Sequence, residues 1–356
     1  MPLIRFTAHL TSTMTSRERV LRTLEFDYPD RLPRHTWWLP IAAIEHGEAA
    51  VSEFKRRWPD DLGTPGVAIP ALAALRQGDM YAAGTYVDEW GCKFLNLQAG
   101  VIGEVKTPQL DDWSRLDELR LPEECLQVDV AAVNAACRAT DKFLLCDAYP
   151  RPFERIQFLR GTENVYLDLA EDSPALRELL RRVHDINCRE LEVWARTDVD
   201  ALVFIDDWGS QRGMLISPSQ WREWFMPLYA DYIRIAHDAG KKIFMHSDGN
   251  IEAIYEDLIR LGLDAINSQL FVMDLPRLAR LAQGKITFWG EIDRQHALVA
   301  ADAAVARQAV RTVAKHLYDP RGGLIAQVEF GPGTRLANID AVFDEWTRVG
   351  PPPTAA

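Results

Sequence analysis

Cysteine is scarce, with five residues in 356 and no Cys-x-x-Cys pair among them. Cys92, Cys125, Cys137, Cys146 and Cys188 are too scattered for a disulfide framework or a structural zinc knot. They suit a reducing compartment, so a cytoplasmic protein is expected. Long apolar runs are also missing: nothing approaches the roughly 18 residues of a membrane span, and Met1 to Thr13 lacks the sustained apolar region of a signal peptide. Basic runs are absent, and 40 Lys and Arg stand against 52 Asp and Glu. That balance argues against nucleic acid and anionic membranes as partners. No G-x-G-x-x-G, Walker or nucleophile-elbow pattern occurs, and Gly331-Pro332-Gly333 reads as a turn. No repeat of 20–50 residues occurs, which excludes a solenoid.

The chain is 47% hydrophobic and can bury a full core. Its length permits one large α/β domain or two smaller ones. Residues 1–14 read as a loose extension ahead of Thr15-Ser16-Arg17-Glu18, a capping box that opens a helix through Leu24. From about residue 140 onward, strand-like and helix-like segments alternate at the spacing of a parallel sheet or barrel. The strand candidates are Phe143 to Cys146, Ala201 to Ile205, Ile243 to Met245, Ala265 to Asn267, Ile286 to Trp289 and Leu324 to Val328. Helices are expected over 164–170 and 174–196, the second with Ser173 as cap and Pro174 in its first turn. Ser217-Pro218-Ser219-Gln220 opens one long helix that Gly240 ends. Another helix ends at Gly262, and the last covers Ile339 to Arg348. Before residue 140 the periodicity is broken. That part reads as one early strand, Thr36 to Leu39, and an elaborated segment able to cover a barrel mouth.

Polar side chains follow the ends of successive strand candidates: Asp206 and Asp207, His246 and Asp248, Asn267 and Gln269, Glu291 and Asp293, and Glu329. In a (β/α)8 barrel these ends form the active-site rim. Any one of them is explained as a helix cap, but five in register favour a site. His246 and Asp248 lie two apart in His246-Ser247-Asp248-Gly249-Asn250, so their side chains converge if the strand runs that far. Asn250 is the better cap of the following helix, which leaves Asp248 free. Glu291 and Glu329 follow apolar strands and must be paired, metal-bound or wet. Asp206 and Asp207 point to opposite sides, with the inward one left open. Of eleven tryptophans, Trp37, Trp38, Trp90, Trp208 and Trp289 lie near these loops, either as packing or as walls of an aromatic pocket.

These residues resemble the uroporphyrinogen decarboxylase superfamily, which includes decarboxylases and cobalamin-dependent methyltransferases. The resemblance runs from about Thr15 to Trp346. Its carriers are Thr15 to Val20 with Pro29 to Pro33, Val87-Asp88-Glu89-Trp90-Gly91, Phe153-Glu154-Arg155 with Leu159-Arg160-Gly161, and Asp206-Asp207-Trp208-Gly209. Ser217 to Pro227, His246-Ser247-Asp248-Gly249, Gly290-Glu291-Ile292-Asp293 and Asn338-Ile339 complete the set. The resemblance implies a single (β/α)8 barrel over 15–350. The decarboxylase branch would carry an Arg-Gln-Ala-Gly-Arg carboxylate clamp where this chain has His35-Thr36-Trp37-Trp38-Leu39-Pro40-Ile41, which disfavours porphyrinogen decarboxylation. The methyltransferase branch would carry His-x-Cys-Gly and a later Cys as zinc ligands. Here Asp248 and Val328-Glu329 occupy those places.

The resemblance therefore implies a divalent metal, zinc first, on His246, Asp248 and Glu329. Carboxylate ligands in place of thiolates make a harder site, suited to an oxygen donor such as a methyl ether. Methyl would pass to the Co(I) of a corrinoid (cobalamin) on a partner protein. Asp207 and Glu291 are the expected catalytic groups; Asn267, Gln269, Trp38, Trp208 and Trp289 are expected to bind a methoxyaromatic substrate. Two rival readings are a metal-free decarboxylase or lyase with Asp207 and His246 as acid and base, and a barrel that binds a tetrapyrrole or corrinoid without turnover. The sequence also allows a homodimer.

Overall fold

The computed structural model describes residues 14–349, so the expected extension lies, but for Met14, outside the described residues. Eleven strands occur among them: β1 (Arg34–Trp38), β2 (Leu62–Gly63), β3 (Gly84–Val87), β4 (Lys93–Asn96), β5 (Glu104–Val105), β6 (Phe143–Leu144), β7 (Ala201–Ile205), β8 (Lys242–Ser247), β9 (Ala265–Ser268), β10 (Thr287–Trp289) and β11 (Leu324–Phe330). Six form one parallel sheet in the order β1-β11-β10-β9-β8-β7. The ring continues from β7 to β6 through the parallel bridge of Leu145 with Ala201, and from β6 to β2 by parallel pairing. Between β2 and β1 the Asp61 N–H donates to the Arg34 carbonyl at 2.8 Å, and the Thr36 N–H to Asp60 Oδ1 at 2.8 Å. Eight parallel strands thus close into a (β/α)8 barrel. The antiparallel β3-β4-β5 meander is the elaboration inserted between the second and third barrel strands.

Strands covered on both faces read as continuous apolar runs, and Ala201 to Phe204 and Ile243 to Met245 are all buried. The connecting helices start where side chains satisfy their free N–H groups. Thr15 and Glu18 form the reciprocal capping box of the helix Ser16–Leu24; Ser173 accepts from the Leu176 N–H at the head of Pro174–Ala195. The long helix expected from Ser217 is two, Pro218–Trp224 and Met226–Asp238. Pro227 has no N–H to continue the first one, and suits the opening turn of the second. Gly262 takes a left-handed conformation, φ 92°, and ends Tyr255–Leu261 as expected. The five cysteines are unpaired. No helix among the described residues is long and apolar enough to cross a membrane.

Candidate active site at the barrel mouth

The side-chain alternation of β7 continues into the loop that follows it and divides Asp206 from Asp207. Asp206 is fully buried on the outer side. It accepts the N–H groups of Phe153 and Glu154 at 3.0 and 2.9 Å, and the Tyr229 hydroxyl donates to it at 2.8 Å. It therefore caps the helix Pro152–Arg160 and serves the scaffold. Asp207 turns to the mouth, where its Oδ1 accepts the Asp248 N–H at 2.9 Å. The loops after β7 and β8 cross backbone to backbone. The Gly209 N–H donates to the Asp248 carbonyl at 3.0 Å and the Asn250 N–H to Ser210 at 2.8 Å. A Cβ on Gly249, which has φ +78°, would lie 2.0 Å from the Gly209 backbone. Only glycine permits that approach, and the approach brings Asp207 beside Asp248.

His246 stands between the two aspartates. Asn267 is fully buried and donates through Nδ2 to the Trp289 carbonyl, so its Oδ1 faces His246 Nδ1 at 2.6 Å. The imidazole must then carry its proton on Nδ1 to donate to Asn267. In the neutral ring this leaves the Nε2 lone pair bare. That lone pair faces Asp207 Oδ1 at 3.5 Å and Asp248 Oδ1 at 3.7 Å. Asp248 Oδ1 is buried and has no hydrogen-bond partner. One donor atom from each of the three residues fits within 4.8 Å of the others. Three electron-rich atoms facing one another call for a cation or a proton between them.

Arg294, in the loop after β10, binds the remaining acids. Its guanidinium meets Asp248, reaches Glu329 at 2.5 Å, and lies 3.3 Å from Glu291. Burial pushes the carboxyls of Glu291 and Glu329 above the ordinary range, against the pull of Arg294. Burial alone would weaken the guanidinium's hold on its proton, but the three carboxylates reverse this. The loop itself is fastened from the C-terminal helix Leu336–Val349. The amide nitrogen of Asn338 donates to the carbonyls of Ala297, Leu298 and Ala300 at 3.3, 2.9 and 2.8 Å.

An aromatic wall stands beside the imidazole. The Trp37 ring lies 5.0 Å from His246 and 5.1 Å from Trp289, edge-on to both. Trp289 stacks on His35 and donates to its Nδ1 at 3.1 Å. Burial lowers the His35 pKa to about 3, so the ring is a neutral acceptor.

Several expected roles change place. Trp38 faces outward, stacked on Phe330 and edge-on to Phe54, because β1 turns His35 and Trp37 inward. Trp208 shares the outer side with Asp206; it is fully buried, stacks on Phe153 and donates to Tyr229 at 2.7 Å. Neither ring meets the trio. Asn267 spends its amide on His246 and Trp289, and the Gln269 carbonyl oxygen accepts from the Gly249 N–H at 3.2 Å. Trp289 is buried behind Trp37. Glu329 is tied to Arg294, and Asp207 is the carboxylate closer to the imidazole. Arg294 is the neighbour that sequence reasoning did not place here; Trp37 stood among the possible pocket walls but not among the expected substrate-binding residues. Alternation from His35 points to Trp37, whereas Arg294 lies in an irregular loop without a periodic signal.

A closed (β/α)8 barrel whose imidazole, carboxylates and guanidinium converge at the carboxyl ends of its strands has the build of an enzyme active site. Residues 87–349 match the family model described as uroporphyrinogen decarboxylase, and the chain belongs to that family. Comparison with curated protein sequences gives no match. Among solved structures, the chain is similar to a methyltransferase from Methanosarcina mazei, at 12% identity and a TM-score of 0.65, covering 94% of this chain and 99% of that one. A B12-independent methionine synthase from Shewanella sp. W3-18-1 is 14% identical, with a TM-score of 0.44 over 62% of this chain and 66% of that one. At these identities the first likeness is one of fold.

Proposed function

We propose that this chain is a metal-assisted methyltransferase that moves a methyl group from a small O-methylated substrate, a methoxyaromatic, to the Co(I) of a corrinoid carried by a partner protein. The observation that carries this reading is the bare Nε2 of His246 between the oxygens of Asp207 and Asp248. One nitrogen and two carboxylate oxygens form a three-donor site for a hard divalent ion, zinc first, with a position left for substrate. Asn267 behind His246 has the place of an outer hydrogen-bond partner that fixes tautomer and ring orientation. Glu329, expected as a ligand, instead holds Asp248 in place through Arg294.

When bound, the metal supplies Lewis-acid polarisation of the ether oxygen. The chain's own residues do the rest. Trp37 offers an apolar face against which an aromatic ring packs beside the trio. Arg294 holds Asp248 in orientation. Glu291, whose carboxyl burial pushes above the ordinary range, is the group that would supply a proton to the departing oxygen. The partner's corrinoid would serve as methyl acceptor and supply the electron pair for the new bond to carbon, while the ether oxygen would leave with the former carbon–oxygen bonding pair.

The test is metal analysis of protein purified without chelator, paired with a spectroscopic assay of methyl transfer to cob(I)alamin from methoxyaromatics. About one zinc per chain, lost in His246→Ala together with transfer, is the expected result. A fully active wild type without metal overturns the reading. Absence of both metal and methyl transfer would favour the metal-free lyase, in which Asp207 and His246 form the acid/base pair.

A further inference from the structure

Between the β3-β5 meander and the barrel lies a cavity of about 430 Å³, large enough for a small organic ligand. Glu154 lines it and also feels the charges of Asp207 and His246, so the cavity adjoins the mouth. Tyr81, Tyr86, Trp90, Phe94 and Phe158 give it an aromatic wall. That wall already carries one cation. The Arg155 guanidinium lies 4.8 Å from the Trp90 ring and 5.4 Å from the Phe158 ring, and reaches Asp88 at 2.5 Å.

Acidic groups outnumber basic ones in the cavity. Five carboxyls, of Asp88, Glu89, Asp147, Glu154 and Glu190, share it with the guanidiniums of Arg76, Arg151 and Arg155. Arg155 takes Asp88, Arg76 takes Glu89 at 2.8 Å, and Arg151 stands 3.9 Å from Glu154. Asp147 accepts the Gly66 N–H at 2.9 Å. Glu190 has neither a hydrogen bond nor an ion pair among the described residues, and burial pushes its carboxyl up to about 8. The Tyr86 hydroxyl, 2% exposed as a residue, is also without a partner. Glu190 is half-buried and lines the cavity without a partner, and the buried Tyr86 phenol is a polar group whose desolvation is uncompensated until a ligand arrives.

We propose that this cavity holds the cationic end of the substrate, an organic ammonium group, with Glu190 as its counter-ion, the Tyr86 oxygen as a second polar contact and the aromatic rings as its walls. Cation–π attraction and an ion pair shielded from water both favour such a group. A carboxylate-bearing ligand would have Arg151 alone to meet and the surplus acids to oppose it. The inference rests on the methyl-transfer reading only for which end of the substrate reacts.

The test is calorimetric titration of the full chain, without corrinoid, using three probes with one methoxyphenyl body. These are (4-methoxybenzyl)trimethylammonium, 4-ethylanisole and 4-methoxyphenylacetate. The expected order is cation tighter than the neutral probe by tenfold or more, with the anion weakest. Glu190→Gln is expected to erase that preference while leaving the neutral probe's affinity in place. Equal affinities, a preference for the anion, or a preference that survives in Glu190→Gln overturns the proposal. The three-probe comparison on the wild type decides it even if the variant misfolds. Cation binding without methyl transfer would sink the proposed function and keep this site; methyl transfer from the neutral probe without cation preference would do the reverse.

Discussion

Replacing Arg294 by Gln removes the one guanidinium shared by Asp248, Glu291 and Glu329. Breaking a buried pair by deleting one partner costs about 3–5 kcal/mol. The Arg294 side chain is 18% exposed and Asp248 28%, so solvent screening reduces this to about 2–3 kcal/mol. At about 2.1 cal/mol/K of unfolding entropy per residue, a chain of 356 residues should lose about 3–4 °C in Tm. The pH dependence is more telling. Burial holds the Glu291 and Glu329 carboxyls above their ordinary values in the folded chain, so they bind protons more readily folded than unfolded. Stability from that source is full below the unfolded glutamate value of about 4.3 and falls as pH rises through the folded values. Without Arg294 those values climb further, and the variant's deficit grows between pH 5 and pH 7.5. Thermal melts of chelator-treated wild type and variant at both pH values measure this. Equal Tm at pH 7.5, or a deficit unchanged at pH 5, would refute the account of Arg294 as the common counter-ion.

Three further outcomes follow from the same geometry. Asn267→Leu frees the His246 imidazole to turn and change tautomer, and zinc affinity by competition with a chromophoric chelator should fall roughly 10–100-fold; unchanged affinity would remove Asn267 from the site. Trp208→Ala opens a cavity in the core and should cost about 3–5 kcal/mol in denaturant melts. Trp37→Leu should leave the melt nearly unchanged while weakening the binding of methoxyaromatics, and reversed behaviour of the two would put the wrong ring at the mouth.

Most of the barrel is legible in the chain because buried parallel strands and capped helices both leave local marks. Ala201 to Ile205, Ala265 to Asn267 and the Ser173-Pro174 helix start are read directly. The meander before residue 140 is not, since its short strands alternate weakly and are set by what they cover. At the mouth, the two-residue step from His246 to Asp248 signals convergence, and the structure adds Asp207 through the crossing of two glycine loops. Alternation was also enough to send Trp208 outward once Asp207 turned inward, and Trp38 outward once Trp37 did. What it needed was the inward partner, which depends on register across strands and not on either strand alone. Arg294 depends on a loop whose course no periodicity marks.

That course is held by Asn338, whose single amide grips three carbonyls of the loop. The position of a positive charge among three acids is thus controlled from the last helix of the barrel, 44 residues downstream of Arg294. Substitutions in that helix that spare the core but shift the amide will redistribute charge at the mouth without touching any residue there. The barrel's closing helix thus sets the course of the loop that carries Arg294, and on the proposed function variation along it is a route to altered reactivity with the mouth residues unchanged.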